Sequence, residues 1–307
     1  MPGRDKFQLW TSDELEADRK RSADIFRDER LTEETQEYHD RFDKNRDLVD
    51  ALLAETRDLR DLSVLDPPTL AKREFLKPFR YIAGPPISEG DLQEVTGLSS
   101  VSEKEIRNNF EARDIIVQVI YDGHDRSRFP WIGHDYEPDE HETTAAALAT
   151  AALMSANDSE VARKAKQRAK VEKFCKGLEE RGFEKVKSRK IQRREDLPGP
   201  GQFCGRASIK DGDKGGQADF VIRRWDGLAV PVECKSSSTE LNSHKRIFVE
   251  TVPRAEGWKE ILGSSTVSAA ILAGPYAIND LQDAQTRGLA IWWFHDLSVA
   301  YDFLAKG

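Results

Sequence analysis

The run Gly216-Gln-Ala-Asp-Phe-Val-Ile-Arg-Arg-Trp-Asp-Gly-Leu-Ala-Val-Pro-Val-Glu-Cys-Lys235 constrains the fold more than any other part of the chain. It reads as two short apolar strands around an Asp-Gly turn, with two carboxylates and one lysine as the polar intruders. Taking Trp225-Asp226-Gly227 as a three-residue hairpin loop, a type I turn whose glycine adopts φ > 0, pairs Arg224 with Leu228. Counting outward then sets Asp219 opposite Glu233 and Gln217 opposite Lys235, with β-carbons of opposed residues about 4.5–5.5 Å apart. One face carries Gln217, Asp219, Glu233 and Lys235. The other carries Ala218, Phe220, Ile222, Leu228, Val230, Val232 and Cys234, which is a core pattern. A two-residue Asp-Gly loop would move Glu233 to the face opposite Asp219, so the face-to-face acids require the longer turn.

Two carboxylates at that separation repel each other unless a cation lies between them, and oxygen-only ligation favours Mg2+ or Mn2+ over zinc. Such a metal polarises a phosphate and lowers the pKa of a bound water, the chemistry of a phosphodiesterase. Lys235, two residues after Glu233, points to the same side, where it would orient that water or neutralise charge on the phosphorane. The carbonyl of Cys234 lies between them as a further ligand. A charged chain also produces acid-x-lysine strings by accident. Two occur here, Asp18-Arg19-Lys20 and Glu233-Cys234-Lys235, and only the second ends an apolar strand with a partner acid across a hairpin.

A net charge of −8 argues at first against a nucleic-acid partner, because phosphate contacts dominate that affinity. Position changes the argument. Residues 1–160 hold 21 Lys+Arg against 36 Asp+Glu, a net of −15, whereas residues 161–307 hold 26 against 19, a net of +7. The stretch 161–194, just before the hairpin, has 14 basic and 4 acidic residues, a net of +10. No apolar run approaches the roughly 18 residues of a membrane span. The N-terminal Met1-Pro-Gly-Arg-Asp5 lacks a secretory core, so a cytoplasmic protein is expected. Cys175, Cys204 and Cys234 show no CxxC spacing and read as buried thiols.

At 307 residues the chain is long enough for two domains. We expect an all-α domain over 1–157 and a mixed α/β domain over 158–307. Ser12 caps a first helix, with a break near Leu31-Thr32 and an end at Asp66-Pro67-Pro68. Ser88 caps a short helix, and Ser102-Glu-Lys-Glu105 is a capping box opening a helix to about Tyr121. An acidic, turn-rich loop spans 122–142, followed by separate helices at Thr143–Asn157 and about Val161–Arg181, the latter ending at Gly182. A strand over Glu184–Gln192, the hairpin, and strands at Thr266–Leu272 and Leu289–Phe294 alternate with helices, an order implying a mixed sheet flanked by helices.

That order, with Asp219…Glu233-x-Lys235 on the second and third strands, resembles the PD-(D/E)XK nuclease superfamily; the proline of its name is replaced by Ala218. More specifically the chain is similar to type II restriction endonucleases of the XamI family. The likeness rests on Tyr81-Ile-Ala-Gly-Pro-Pro-Ile-Ser-Glu-Gly-Asp91, on Ala218-Asp-Phe-Val-Ile222, on Val232-Glu-Cys-Lys235 with Asn242-Ser-His-Lys-Arg246, and on Ala270-Ile-Leu-Ala-Gly274 and Phe294-His-Asp296. It implies Mg2+-dependent cleavage of double-stranded DNA at a short palindromic sequence, with Mn2+ able to substitute. It further implies 5′-phosphate products, a homodimer and a cognate methyltransferase. A structure-specific nuclease of the same fold and a non-catalytic DNA-binding protein are the alternatives.

Secondary candidates follow. Many nucleases of this fold carry a glutamate on the helix before the first strand, which points to Glu172, with Glu179 and Glu180 as competitors and a solvated helix residue as the plain alternative. Gln217 would hold Lys235 or touch a phosphate. Asn242, Ser243, Lys245 and Arg246 suit contacts to the DNA backbone. His124, His134 and His141 match no ligand spacing, and Trp292 and Trp293 belong to the core.

Overall fold

The computed structural model describes residues 9–306, so the N-terminal stretch expected to lack a secretory core lies outside the described residues. The chain divides into two compact units, one comprising residues through Thr32 and from Lys164 onward, the other Glu33–Arg163. The expected boundary at 157/158 falls inside a single helix, and the first helix groups with the sheet instead of with the helical unit.

Helix α1 (Ser12–Asp28) is capped by Thr11, one residue earlier than expected, through a capping box with Glu14. The break expected near Leu31-Thr32 is a π-helical turn, Glu29–Glu33. Helices α2 (Glu34–Glu55), α3 (Pro67–Ala71), α4 (Arg73–Arg80), α5 (Glu89–Thr96), α6 (Glu103–Ile106) and α7 (Phe110–Asp122) build the helical unit. Its core joins Leu52, Phe79, Ile116, Trp131 and Met154. Ser88 caps α5 as expected. The Ser102 capping box does not form: α6 stops after one turn, and Asn109 caps α7 by accepting from the Ala112 N–H.

Helix α8 (Glu140–Glu179) is continuous over 40 residues where two helices were expected. Asp158-Ser-Glu160 changes the composition but contains neither glycine nor proline, so nothing interrupts the hydrogen-bond ladder. Asp139 starts it reciprocally with Glu142, and the end is a Schellman arrangement in which Phe183 N–H donates to Leu178 and Gly182 takes φ +86°.

The sheet has seven strands: β1 (Glu184–Val186), β2 (Lys190–Ile191), β3 (Gln202–Asp211), β4 (Lys214–Arg223), β5 (Ala229–Ser236), β6 (Ala269–Ala273) and β7 (Ala290–Trp293). They run in the order β1-β3-β4-β5-β6-β7, with β2 also paired to β3. Strands β3, β4 and β5 are antiparallel, while β5, β6 and β7 are parallel. Strand β3 was not expected, and the single strand expected at Glu184–Gln192 is two short pieces parallel to it. One face of the sheet packs Phe203, Phe220, Val232, Ile271 and Trp292 against Phe174 of α8 and against α12 (Ser298–Ala305). The other packs Val221, Ala270, Leu272 and Trp293 against α1, α10 (Val252–Leu262) and α11 (Ile278–Thr286). Between β5 and α10 run a single turn, α9 (Glu240–His244), and a π-helical segment, Lys245–Thr251. Both tryptophans of β7 are buried, as expected.

Candidate active site

The hairpin register is the one the three-residue loop demands. Arg224 N–H donates to the Leu228 carbonyl at 3.0 Å, and Gly227 takes φ +83°. Phe220 pairs with Val232, the outermost pair of the ladder, and Asp219 and Glu233 are the next residues on their strands. There the ladder ends. Asp219 Oδ2 accepts the Cys234 backbone N–H at 2.7 Å, so a side chain takes the place of a backbone partner and the two strands part beyond it.

The parting coincides with a break in strand alternation. Phe220 and Ile222 pack in one core, whereas Ala218 packs in the other core with Val221. Strict period-2 geometry would put Ala218 with Phe220. The position opposite Asp219 on β3, between the pairs Gly205–Phe220 and Ala207–Ala218, is Arg206, a non-glycine residue at φ +44°. Backbone strain of this kind collects at functional sites because surrounding structure must enforce it. The break also corrects the expected face. Exposed Gln217 does not hold Lys235, whose Nζ instead donates to Glu250 at 2.7 Å and contacts Glu233 at 2.9 Å.

Glu233 is 3 % exposed. Its Oε1 takes both Lys235 and the guanidinium of Arg254, while its Oε2 is buried with no hydrogen-bond partner. Glu250 comes from the π-helical segment and Arg254 from α10, so four charges form an alternating series: Glu250, Lys235, Glu233, Arg254. The Lys235 hydrogen bond holds the Glu250 carboxyl below the usual range, against the opposing effect of burial. Gly216 lets Arg254 through, since a β-carbon there would lie 3.0 Å from its Cγ and Cδ. Sequence reasoning missed Glu250 and Arg254, which are unremarkable charges on a helix until the fold brings them to β5.

The remaining candidates separate. Burial pushes the Cys234 thiol well up, with the Asp219 carboxylate adding to it, and the half-buried sulfur packs against the core, so only the carbonyl of this residue suits a hard cation. Glu172 is exposed on α8, near enough to Cys175 for its charge to act on that thiol. Asn242 and Lys245 are exposed. Ser243 is fully buried, and its hydroxyl donates to the Glu240 carbonyl, which removes it from any contact with DNA. Arg246 is half-buried and donates to the Ser236 carbonyl at the end of β5, bracing the strand that carries Glu233. Among the described residues no group of three His, Cys, Asp or Glu side chains surrounds a metal site, so the three histidines of the acidic loop do not converge on one.

The family model of the XamI restriction endonuclease matches residues 60–293, which include every residue of this cluster. The chain belongs to the XamI restriction endonuclease family. The type II restriction enzyme XamI of Xanthomonas campestris pv. amaranthicola is 31 % identical over 262 residues, spanning 84 % of this chain and 93 % of that enzyme. The likeness covers both units, so the helical half belongs to the family along with the sheet.

Proposed function

We propose that the chain is a type II restriction endonuclease with a PD-(D/E)XK site, hydrolysing double-stranded DNA with Mg2+ at a short palindromic sequence. The observation that carries this reading is the buried Glu233, with one unpartnered oxygen, in contact with Lys235 and next to Cys234, whose N–H holds the Asp219 carboxylate. An ionised carboxylate oxygen without a donor is costly in a protein interior, and a divalent cation resolves that cost. The donor set fits Mg2+ or Mn2+: two hard carboxylates and the Cys234 carbonyl, with phosphate oxygens and water completing a shell that Mg2+ ordinarily leaves partly to its substrate. When bound, the cation supplies polarisation of the phosphate and acidification of water.

The chain's own residues do the rest. Asp219 is held in place by the Cys234 N–H, and Glu233 by Lys235, so neither carboxylate has to be oriented at the moment of reaction. Lys235, fixed between Glu233 and Glu250, carries positive charge toward the phosphorane. A water oxygen bonds to phosphorus as the P–O3′ bond breaks, leaving a 5′-phosphate and a 3′-hydroxyl. Glu172 on α8 is retained as an outer carboxylate. Gln217, Asn242 and Lys245 are exposed and suit the DNA backbone. Two active sites on one palindrome require a homodimer, and protection of host DNA requires a methyltransferase of the same specificity. No helix among the described residues is long and apolar enough to cross a membrane, which agrees with action on DNA in the cytoplasm.

Incubation with plasmid DNA tests the reading. Discrete fragments are expected with Mg2+ and none with Ca2+; a smear or a nick independent of sequence would overturn site specificity. Asp219→Ala and Glu233→Ala should each abolish cleavage while DNA binding in Ca2+ persists. Full cleavage by either variant removes that residue from the site.

A further inference from the structure

We propose that Arg254 is a displaceable counter-ion, occupying Glu233 in the metal-free protein and yielding it when a divalent cation arrives. The inference rests on the reading of Glu233 as a metal ligand, and goes beyond it by assigning a competitor built into the chain. Glu233 Oε1 already contacts two cationic groups, Lys235 and Arg254, and Oε2 contacts none. A dication added to that arrangement would bring further positive charge to one carboxylate, and like charges at such range oppose each other. One of the two side chains has to move.

Exposure and partners decide which. Lys235 is 14 % exposed and is tied a second time, to Glu250. Arg254 is 35 % exposed and forms its ion pair with Glu233. It reaches the site across Gly216, where the absence of a β-carbon leaves its stem a channel. Release of Arg254 therefore breaks one ion pair and returns a guanidinium to water, whereas release of Lys235 would break two, one of them the hydrogen bond to Glu250. The series Glu250–Lys235–Glu233–Arg254 is neutral as it stands. Loss of Arg254 from its end leaves the series with one net negative charge, which adds to that of Asp219, and frees a cation at the edge of the site.

The apparent affinity for metal is then reduced by the fraction of molecules in which Glu233 is already taken. Mn2+ binding without DNA, followed by titration calorimetry or by the electron paramagnetic resonance of free Mn2+, reads this directly. Arg254→Gln should bind Mn2+ about ten-fold more tightly than the unmodified chain, the change expected if Glu233 is free in about a tenth of molecules. Arg254→Lys, which keeps a cation, should stay closer to the unmodified chain, and Glu233→Gln should remove the site. Unchanged or weaker binding by folded Arg254→Gln, with Glu233→Gln still abolishing it, overturns the proposal and leaves the metal reading standing. Binding that survives Glu233→Gln overturns both. Should Arg254→Gln fail to fold, Gly216→Ala puts the question differently, because its methyl shifts the arginine without deleting it. Tighter Mn2+ binding by folded Gly216→Ala supports the counter-ion, and unchanged binding sinks it.

Discussion

At the scale of single residues, the site depends on charges that fix one another. Glu250 accepts a hydrogen bond from Lys235, which also contacts Glu233. Glu250→Gln keeps the shape and drops the charge, and partners of this kind typically cost 10–100-fold in activity when removed. We expect turnover to fall within that range with substrate affinity little changed; turnover equal to that of the parent chain would show the contact to be incidental. The pH dependence has a definite sign. The folded carboxyl lies below the ordinary glutamate value of 4.5, so its stabilising contribution is present above pH 4.5 and fades as pH falls through the folded value. The difference in urea midpoint between the parent chain and Glu250→Gln should therefore shrink on acidification below pH 4.5. Of this cluster, the nearness of Asp219, Glu233 and Lys235 was legible in the sequence, because the turn type fixes the register of the hairpin, but the break in alternation beside Asp219 was not. Nor were Glu250 and Arg254, because their partners lie 15 and 21 residues away and no local pattern distinguishes them from other charges on a helix.

At the scale of elements, β3 escaped notice for a related reason. Gly205, Arg206 and Ser208 interrupt its apolar run, and the alternation breaks at Arg206 opposite Asp219, so the pattern that reveals β4 and β5 is disrupted where the function requires it. Helix α8 was divided on composition alone, although its backbone has no reason to stop. Tight apposition of α10 on β4 is another feature invisible to periodicity. A β-carbon at Gly257 would lie 2.4 Å from the Gly215 nitrogen, a backbone atom that cannot turn aside. Alanine favours a helix interior over glycine by about 1 kcal/mol, but overpacking of this kind costs about 1–3 kcal/mol. Gly257→Ala should therefore lower the urea midpoint in spite of its better helix propensity. A raised midpoint would mean that α10 stands further from the strand than described. The same substitution moves the helix that carries Arg254, so its Mn2+ affinity should change together with its stability.

At the scale of the whole molecule, basic charge gathers in residues 161–307 and acidic charge in 1–160. Lys245 is exposed while Arg246 braces β5, so the two neighbours should behave differently. Lys245→Ala is expected to weaken DNA binding alike for all sequences and to flatten the slope of log affinity against log salt by about one. Arg246→Ala should instead lower stability and cleavage together. A change confined to one base position of the recognition sequence would make Lys245 a reader of bases. The grouping of α1 with the sheet was not legible, since the amphipathic pattern of a helix does not say which apolar surface it covers.

Helix α1 also has a history written into its contacts. Trp10 Nε1 donates to the Ile291 carbonyl at 2.7 Å, and Ser22 Oγ exchanges hydrogen bonds with Gly274, so α1 and the residue before its cap are tied to positions 281 and 252 residues later. At about 5–20 residues per second, a ribosome needs roughly 15–60 s to supply those partners after Trp10 has been synthesised. A chain stalled before β7 carries Asp219 and Lys235 but lacks the strand whose carbonyl anchors Trp10, so interruption ahead of Ile291 leaves this face of the sheet without its closing contact.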